Sequence, residues 1–61
     1  ALKYFLESME MYERLYNYED HPMTASCLNN IGYSHFNLSD YQKALEFYFK
    51  SLEMKKRYLK N

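Results

Sequence analysis

Three side chains of this chain belong to the types that most often bind metals or act as nucleophiles: His21, Cys27 and His35. The two histidines are fourteen residues apart, without an HExxH or CxxC motif or a carboxylate at ligand spacing, so no zinc site is predicted. The sequence also has no nucleophile–base pairing and no glycine-rich phosphate loop. We therefore expect no metal, no cofactor and no enzymatic activity, with His21 in a turn and His35 in a helix contact.

Cys27 is the single cysteine, which excludes a disulfide within one chain and is typical of a reducing compartment. It lies among helix-forming residues. Because a reactive thiolate needs a nearby positive charge or a helix N-terminus, an inert, packed thiol is favoured over a reactive one. Together with the lack of a recognisable signal peptide, these features predict a cytoplasmic protein.

The charge balance argues against two classes of partner. Eight basic and eight acidic side chains give a formal net charge of zero. Such a chain lacks the positive potential that attracts nucleic acid or an anionic membrane, so neither is expected as a partner. The basic residues between positions 55 and 60 are better explained as a solvated helix end matched to the helix dipole. No apolar run is long enough to span a bilayer.

The elements that must position these residues are three helices. Apolar residues recur at spacings of three and four, and only one glycine and one proline are present to interrupt them. The pattern predicts a first helix from Leu2 to about Tyr18, a second from Pro22 to about Leu38 and a third from Tyr41 to about Lys60. The first helix is apolar on more than one side, so we expect it to contact neighbours on two faces.

The two connections contain candidate helix caps. Proline is favoured in a first helical turn, so Asp20 or His21 precedes the second helix, and Asp20 is the better cap by residue type. In the tight turn before the third helix, Ser39 with Gln42 fits a capping box, and Asp40 is the alternative cap.

The first and third helices are related by an internal repeat. At an offset of 43 residues, identical residues coincide at six pairs of positions: Ala1 and Ala44, Leu2 and Leu45, Ser8 and Ser51, Glu10 and Glu53, Met11 and Met54, and Arg14 and Arg57. Aromatic residues coincide at Tyr4 and Phe47 and at Phe5 and Tyr48. A repeat of this length indicates a helical solenoid, although two amphipathic helices can also match by chance.

The segment from Leu28 to Tyr48 resembles a tetratricopeptide repeat. The family pattern combines large, small, aromatic and alanine positions, which are occupied here by Leu28, Ile31, Gly32, His35, Ala44, Tyr48 and Ser51. Three positions depart from it: His35 replaces an aromatic residue, Ser39 the turn glycine and Ser51 the second alanine. The repeat length of 43 residues, and residues 20–22 just before the second helix, are similar to those of the extended subclass found in kinesin light chain-like proteins.

The resemblance implies an all-α fold, a fragment of an α-solenoid made of three antiparallel helices. Residues 1–19 are then helix B of one repeat, and residues 20–61 are one complete A–B helical hairpin. Because solenoid repeats bury their apolar faces against neighbours, we expect isolated chains to self-associate as homo-oligomers. A symmetric dimer and the exchange of a helix across residues 37–40 are both possible routes.

Members of this family usually bind a peptide or protein segment on a concave surface lined by A helices, so the resemblance implies a protein-interaction module. Matched by position, that surface comprises Ser26, Asn29, Asn30, Tyr33, Phe36 and Asn37. For Asn30 and Tyr33, ligand contact and simple exposure are both open; for Asn29 and Asn37, simple exposure is favoured. The alternative function is a structural element whose aromatic helix faces drive homo-oligomerisation.

Overall fold

The computed structural model describes residues 2–60 and contains three helices in that part of the chain. α1 spans Leu2–Leu15, α2 spans Pro22–Asn37 and α3 spans Tyr41–Leu59. α2 lies between the other two helices and packs against both. The predicted all-α class is confirmed for these residues. Each helix ends one to three residues earlier than the sequence pattern predicted.

α1 ends at Leu15 because the chain leaves the right-handed helical region shortly afterwards. Asn17 and Tyr18 have φ angles of 55° and 58°. The amide of Tyr18 donates to the carbonyl oxygen of Glu13 at 2.6 Å, and that of Asn17 to Arg14 at 3.2 Å. Left-handed residues that bond back in this way satisfy the last carbonyls of a helix and stop it. The expected end near Tyr18 is therefore corrected to Leu15.

α2 is capped by His21, so the prediction that Asp20 is the cap is wrong. His21 has extended backbone angles, and its Nδ1 accepts a hydrogen bond from the amide of Met23 at 3.1 Å. The imidazole also stacks on the Tyr16 ring, with centroids 3.5 Å apart. The Asp20 carboxylate instead binds a side chain of α3, described below. Pro22 takes the first helical position, as predicted.

The turn between α2 and α3 is closed by Ser39 in the left-handed region, with a φ of 63°. The amide of Ser39 donates to the carbonyl oxygen of Phe36, and that of Asp40 to His35, both at 2.9 Å. This geometry usually selects glycine. Ser39 has this left-handed backbone and is not the N-cap of α3, so it does not form the predicted capping box. Asp40, the alternative, caps α3 with Oδ1 3.4 Å from the Lys43 amide nitrogen.

α2 and α3 approach each other closely at Gly32. A Cβ atom added to Gly32 would lie 3.0 Å from two ring carbons of Tyr48 and 3.1 Å from the carbonyl oxygen of Ala44. Along the same contact, the hydroxyl of Ser51 is buried and donates to the carbonyl oxygen of Ala25 at 2.8 Å. Small side chains therefore let the two helices pack closely at Gly32 and Ser51.

The rest of the core is concentrated on α2. Ile31 is fully buried and Leu28 is 3% exposed. His35 stacks on Phe47 of α3 with ring centroids 5.5 Å apart, which confirms the predicted helix contact. None of the described residues of α1 is fully buried. α1 is thus attached to one side of α2, while α2 and α3 form the tighter pair.

We predict that Gly32→Val lowers the free energy of unfolding by about 1–3 kcal/mol, because the valine methyl groups enter space held by the Tyr48 ring and the Ala44 carbonyl. Urea unfolding followed by far-UV circular dichroism measures this. Asn29→Val is the matched control, because it places the same side chain on the exposed face of α2 and should cost less than about 0.5 kcal/mol. Equal losses at the two positions would contradict the proposed role of Gly32.

Candidate protein-binding surface

The six residues predicted for the A-helix surface lie on one face of α2. Their positions recur at intervals of three and four, which aligns them along the helix, and all six are exposed. Tyr33, in the middle, is 59% exposed. The opposite face carries the buried residues Thr24, Cys27, Leu28 and Ile31. We call the exposed stripe the A-helix face: Ser26, Asn29, Asn30, Tyr33, Phe36 and Asn37.

On one side the A-helix face is bordered by α1. Ser26 and Asn30 line a groove between the two helices, and its α1 wall is formed by Tyr4, Phe5, Ser8 and Tyr12. Asn37 lines a separate, shallow depression near Leu2. The structure thus brings Ser26 and Asn30 to one groove and places Asn37 at the far end of the helix.

On the other side the A-helix face meets the start of α3. The Phe36 ring packs edge-to-face against Tyr41, with centroids 5.3 Å apart, and both residues are more than half exposed. Phe36 and Tyr41 therefore form one exposed aromatic pair. Tyr41 was not among the predicted surface residues. Its place directly after the tight turn was the available signal, because such a turn brings the first residue of α3 close to the end of α2.

The chemistry of the A-helix face is neutral. It offers three side-chain amides, two hydroxyls (Ser26 and the phenol of Tyr33) and two aromatic rings. Each amide has two N–H donors and a carbonyl acceptor, so it can pair with either polar group of a peptide backbone. The exposed rings add apolar contact area with few torsions to restrict. This arrangement suits the binding of a polypeptide better than the binding of a charged small molecule.

A side-chain ion pair holds the linker before α2 against α3. The Arg57 guanidinium donates from Nε to one carboxylate oxygen of Asp20 at 2.7 Å and from a terminal nitrogen to the other at 3.0 Å. This two-point pairing fixes direction as well as distance. The hydrogen bonds from Arg57 lower the pKa of the Asp20 carboxyl group. The pair therefore links the residue that precedes the His21 cap of α2 to the C-terminal part of α3.

The remaining candidate groups are placed without catalytic geometry. Cys27 is 6% exposed, and its burial raises the pKa of the thiol, as expected for an inert packed cysteine. His21 and His35 each stack on an aromatic ring. Within residues 2–60, no group of three or more His, Cys, Asp or Glu side chains could hold a metal ion. No helix in this region is long and apolar enough to cross a lipid bilayer.

The arrangement of α2 between two helices matches the family resemblance. A family model described as Tetratricopeptide repeat matches residues 1–57. The chain belongs to the tetratricopeptide repeat family. Proteins of this family generally mediate protein–protein interactions on a non-enzymatic helical scaffold. The comparisons with curated proteins and with solved structures gave no match.

The sequence interpretation of this repeat missed the pair of Asp20 and Arg57. The sequence pattern predicted Asp20 as the N-cap of α2 and placed Arg57 in a solvated helix end. Each of these local roles explained its residue without a distant partner. The coincidence of Arg14 with Arg57 in the internal repeat was the available signal that this position is structural. The repeat did not, however, indicate that the partner of Arg57 is Asp20, which is 37 residues away in the sequence.

We predict that Asp20→Asn destabilises the chain at pH 7 and that this destabilisation decreases as the pH is lowered to 2. The lowered carboxyl pKa means that Asp20 contributes stability above its ordinary pKa of about 3.9 and loses this contribution as the pH falls through the lowered pKa. Thermal unfolding of both proteins across this pH range measures the effect. Glu46→Gln, which changes an exposed carboxylate of α3, is the control. A difference between wild type and Asp20→Asn that persists undiminished at pH 2 would contradict the assignment.

Proposed function

We propose that the A-helix face binds an extended peptide or a segment of another protein. The observation that carries this proposal is the alignment of six exposed side chains on the one face of α2 that neither α1 nor α3 covers. Family membership supports an interaction role, and the position of the face supports this particular surface. The helix that carries it is held on both sides, so the surface needs little reorganisation on binding.

Within this surface we assign the main roles to Asn30 and Tyr33. Asn30 lies beside the groove to α1, where its amide can pair with the N–H and C=O groups of an extended backbone. Tyr33, in the middle of the stripe, supplies the central apolar contact. Since none of the six side chains is charged, the proposed recognition depends on backbone hydrogen bonds and apolar area rather than on charge. The proposed partner is accordingly a polypeptide and not nucleic acid.

The proposed role follows from a particular division of the chain. Residues 1–19 serve as helix B of one repeat and residues 20–61 as a complete A–B hairpin. The 43-residue offset between α1 and α3 supports membership of the extended, kinesin light chain-like subclass. Under this division α2 is the A helix, which is the helix that family members use for ligand contact.

Self-association is the second candidate function. It is favoured by a row of exposed leucines on α3: Leu45, Leu52 and Leu59 are 55%, 47% and 73% exposed. Residues seven apart lie on one side of a helix, so the three form a continuous apolar row that a symmetric dimer could bury. In this case the chain acts as a structural element and forms homo-oligomers.

We predict that Asn30→Ala and Tyr33→Ala each weaken peptide binding by about 5- to 30-fold, since each removes a central contact worth about 1–2 kcal/mol. The probes are peptides selected from a random display library on the 61-residue chain, with affinity measured by fluorescence anisotropy. Gln42→Ala, which truncates an exposed amide on α3, is the control and should change the affinity less than about twofold. Selected peptides that bind both variants as well as the native chain would contradict the proposed surface.

We predict that self-association through α3 is abolished by Leu52→Glu, because the substitution places a charge in the middle of the leucine row. Size-exclusion chromatography with light scattering, over a range of concentrations, should show a dimer or larger species for the native chain and a helical monomer for the variant. Gln42→Glu adds the same charge elsewhere on α3 and should leave the assembly unchanged. A native chain that stays monomeric at high concentration would exclude this second function.

A further inference from the structure

The first turn of α2 is held by two hydrogen bonds, and one residue accepts both. The carbonyl oxygen of His21 accepts from the Ala25 amide at 3.0 Å, and the Nδ1 atom of its side chain accepts from the Met23 amide at 3.1 Å. Pro22, between them, has no amide hydrogen to satisfy. The first turn of α2 also contains no acidic side chain. The side-chain cap of this helix is therefore a single imidazole nitrogen.

The better capping residue, Asp20, is already bound to another helix. Its two carboxylate oxygens accept from the Arg57 guanidinium of α3 at 2.7 Å and 3.0 Å. A carboxylate cap would stay an acceptor throughout the neutral pH range, whereas an imidazole accepts only while one of its nitrogens carries no hydrogen. The ion pair therefore leaves the start of α2 to a residue whose capping ability depends on pH.

The capping bond fixes the protonation state of the His21 ring. Because Nδ1 accepts from the Met23 amide, the hydrogen of the neutral ring is on Nε2. A second proton binds at Nδ1, the atom that faces this amide. The imidazolium has two donors and no acceptor, so no rotation of the ring restores the bond. It also places a positive charge at the positive end of the α2 dipole.

The aromatic neighbours of His21 hold the ring without replacing the cap. The imidazole stacks on Tyr16 of α1 with ring centroids 3.5 Å apart, and Tyr12 stacks on the other side of this contact at 6.1 Å from Tyr16. An aromatic face attracts a cation, so the stack can keep a protonated ring beside α1. It offers no acceptor to the Met23 amide, which is left without its partner.

The other ionisable groups around His21 keep their charge while the ring titrates. They are the phenols of Tyr12 and Tyr16 on α1, the carboxylates of Glu19 and Asp20 in the linker and the guanidinium of Arg57 on α3. Among these chemical groups and imidazole, only imidazole ordinarily changes charge between about pH 5.5 and 7.5. A structural change at the start of α2 in this range is therefore attributable to the ring itself.

We propose that His21 is a pH-sensitive cap: the neutral ring holds the first turn of α2, and protonation releases the Met23 amide and loosens residues 22–25. The capping bond is present above the titration range of the ring and is lost as the pH falls through it. The loosened turn lies directly before Ser26, which lines the groove beside α1 together with Met23. Acidification thus acts on one end of the A-helix face.

The test is an NMR titration of the full 61-residue chain from about pH 7.5 to 5.5. It follows the imidazole carbon-bound protons of both histidines and the backbone amides. We expect the Met23 amide shift to change with the same midpoint as the His21 ring. Its protection from hydrogen exchange, corrected for the intrinsic pH dependence, should fall about fivefold, as for the loss of an N-cap. His35, which stacks on Phe47 of α3, is the internal control, and its midpoint should not govern Met23.

His21→Asn separates capping from titration. Asparagine is a favoured N-cap whose side-chain oxygen accepts a hydrogen bond but does not titrate. The Met23 amide of this variant should therefore keep the same shift and protection across the whole pH range. Circular dichroism at both ends of the range confirms that the variant is folded.

Three results would overturn the proposal. They are a His21 ring that is still neutral at about pH 5.5, a Met23 amide that does not respond while the ring titrates, and a Met23 response of equal size in the native chain and in His21→Asn. None of these measurements involves a bound peptide, so failure of the pH-sensitive cap is separate from failure of the proposed function of the A-helix face.

Discussion

The structure depends on the close contact between α2 and α3 at Gly32. Because glycine has no Cβ atom, the Tyr48 ring can rest against the backbone of α2. The short distance between α2 and α3 also brings the Ser51 hydroxyl within hydrogen-bond distance of the Ala25 carbonyl oxygen. With α3 on one side and α1 on the other, α2 keeps only one face for solvent. Helix packing therefore decides which side chains the protein displays, and a larger residue at position 32 would alter the surface as well as the core.

The number, order and packing faces of the helices could be predicted from the sequence because they depend on a regular period. Apolar residues at spacings of three and four place the helices, and a glycine in the middle of a helix indicates a close neighbour. The stripe on α2 was instead implied by the family resemblance, matched position by position. The family match supports the overall assignment, while the role of the stripe in binding stays a proposal.

The helix ends and caps could not be predicted from the same signals. Asn17, Tyr18 and Ser39 adopt positive φ angles that residue type alone does not indicate, since glycine is the usual residue there. At the start of α2, Asp20 is a better cap than His21 by residue type. The competition is decided by Arg57, which is far away in sequence and binds the carboxylate. Such choices depend on the folded arrangement, which a local pattern does not contain.

The repeat gives α1 and α3 related sequences in different surroundings. On α3 the hydroxyl of Ser51 and the guanidinium of Arg57 bond to other parts of the chain, whereas on α1 the corresponding Ser8 is half-buried beside α2 and Arg14 is exposed and pairs with Glu10. The A-helix face meets α1 at the groove lined by Ser26 and Asn30.

The central claim is that α2 packs on α3 of the same chain through Gly32 and leaves the A-helix face open. The most direct test is a nuclear Overhauser measurement between the α protons of Gly32 and the ring protons of Tyr48. It should be made on uniformly labelled protein and on a mixture of labelled and unlabelled chains. The account predicts strong contacts within one chain that are absent from the intermolecular spectrum. Contacts that appear only between chains would show that α2 and α3 are exchanged between copies, and their complete absence would contradict the fold itself.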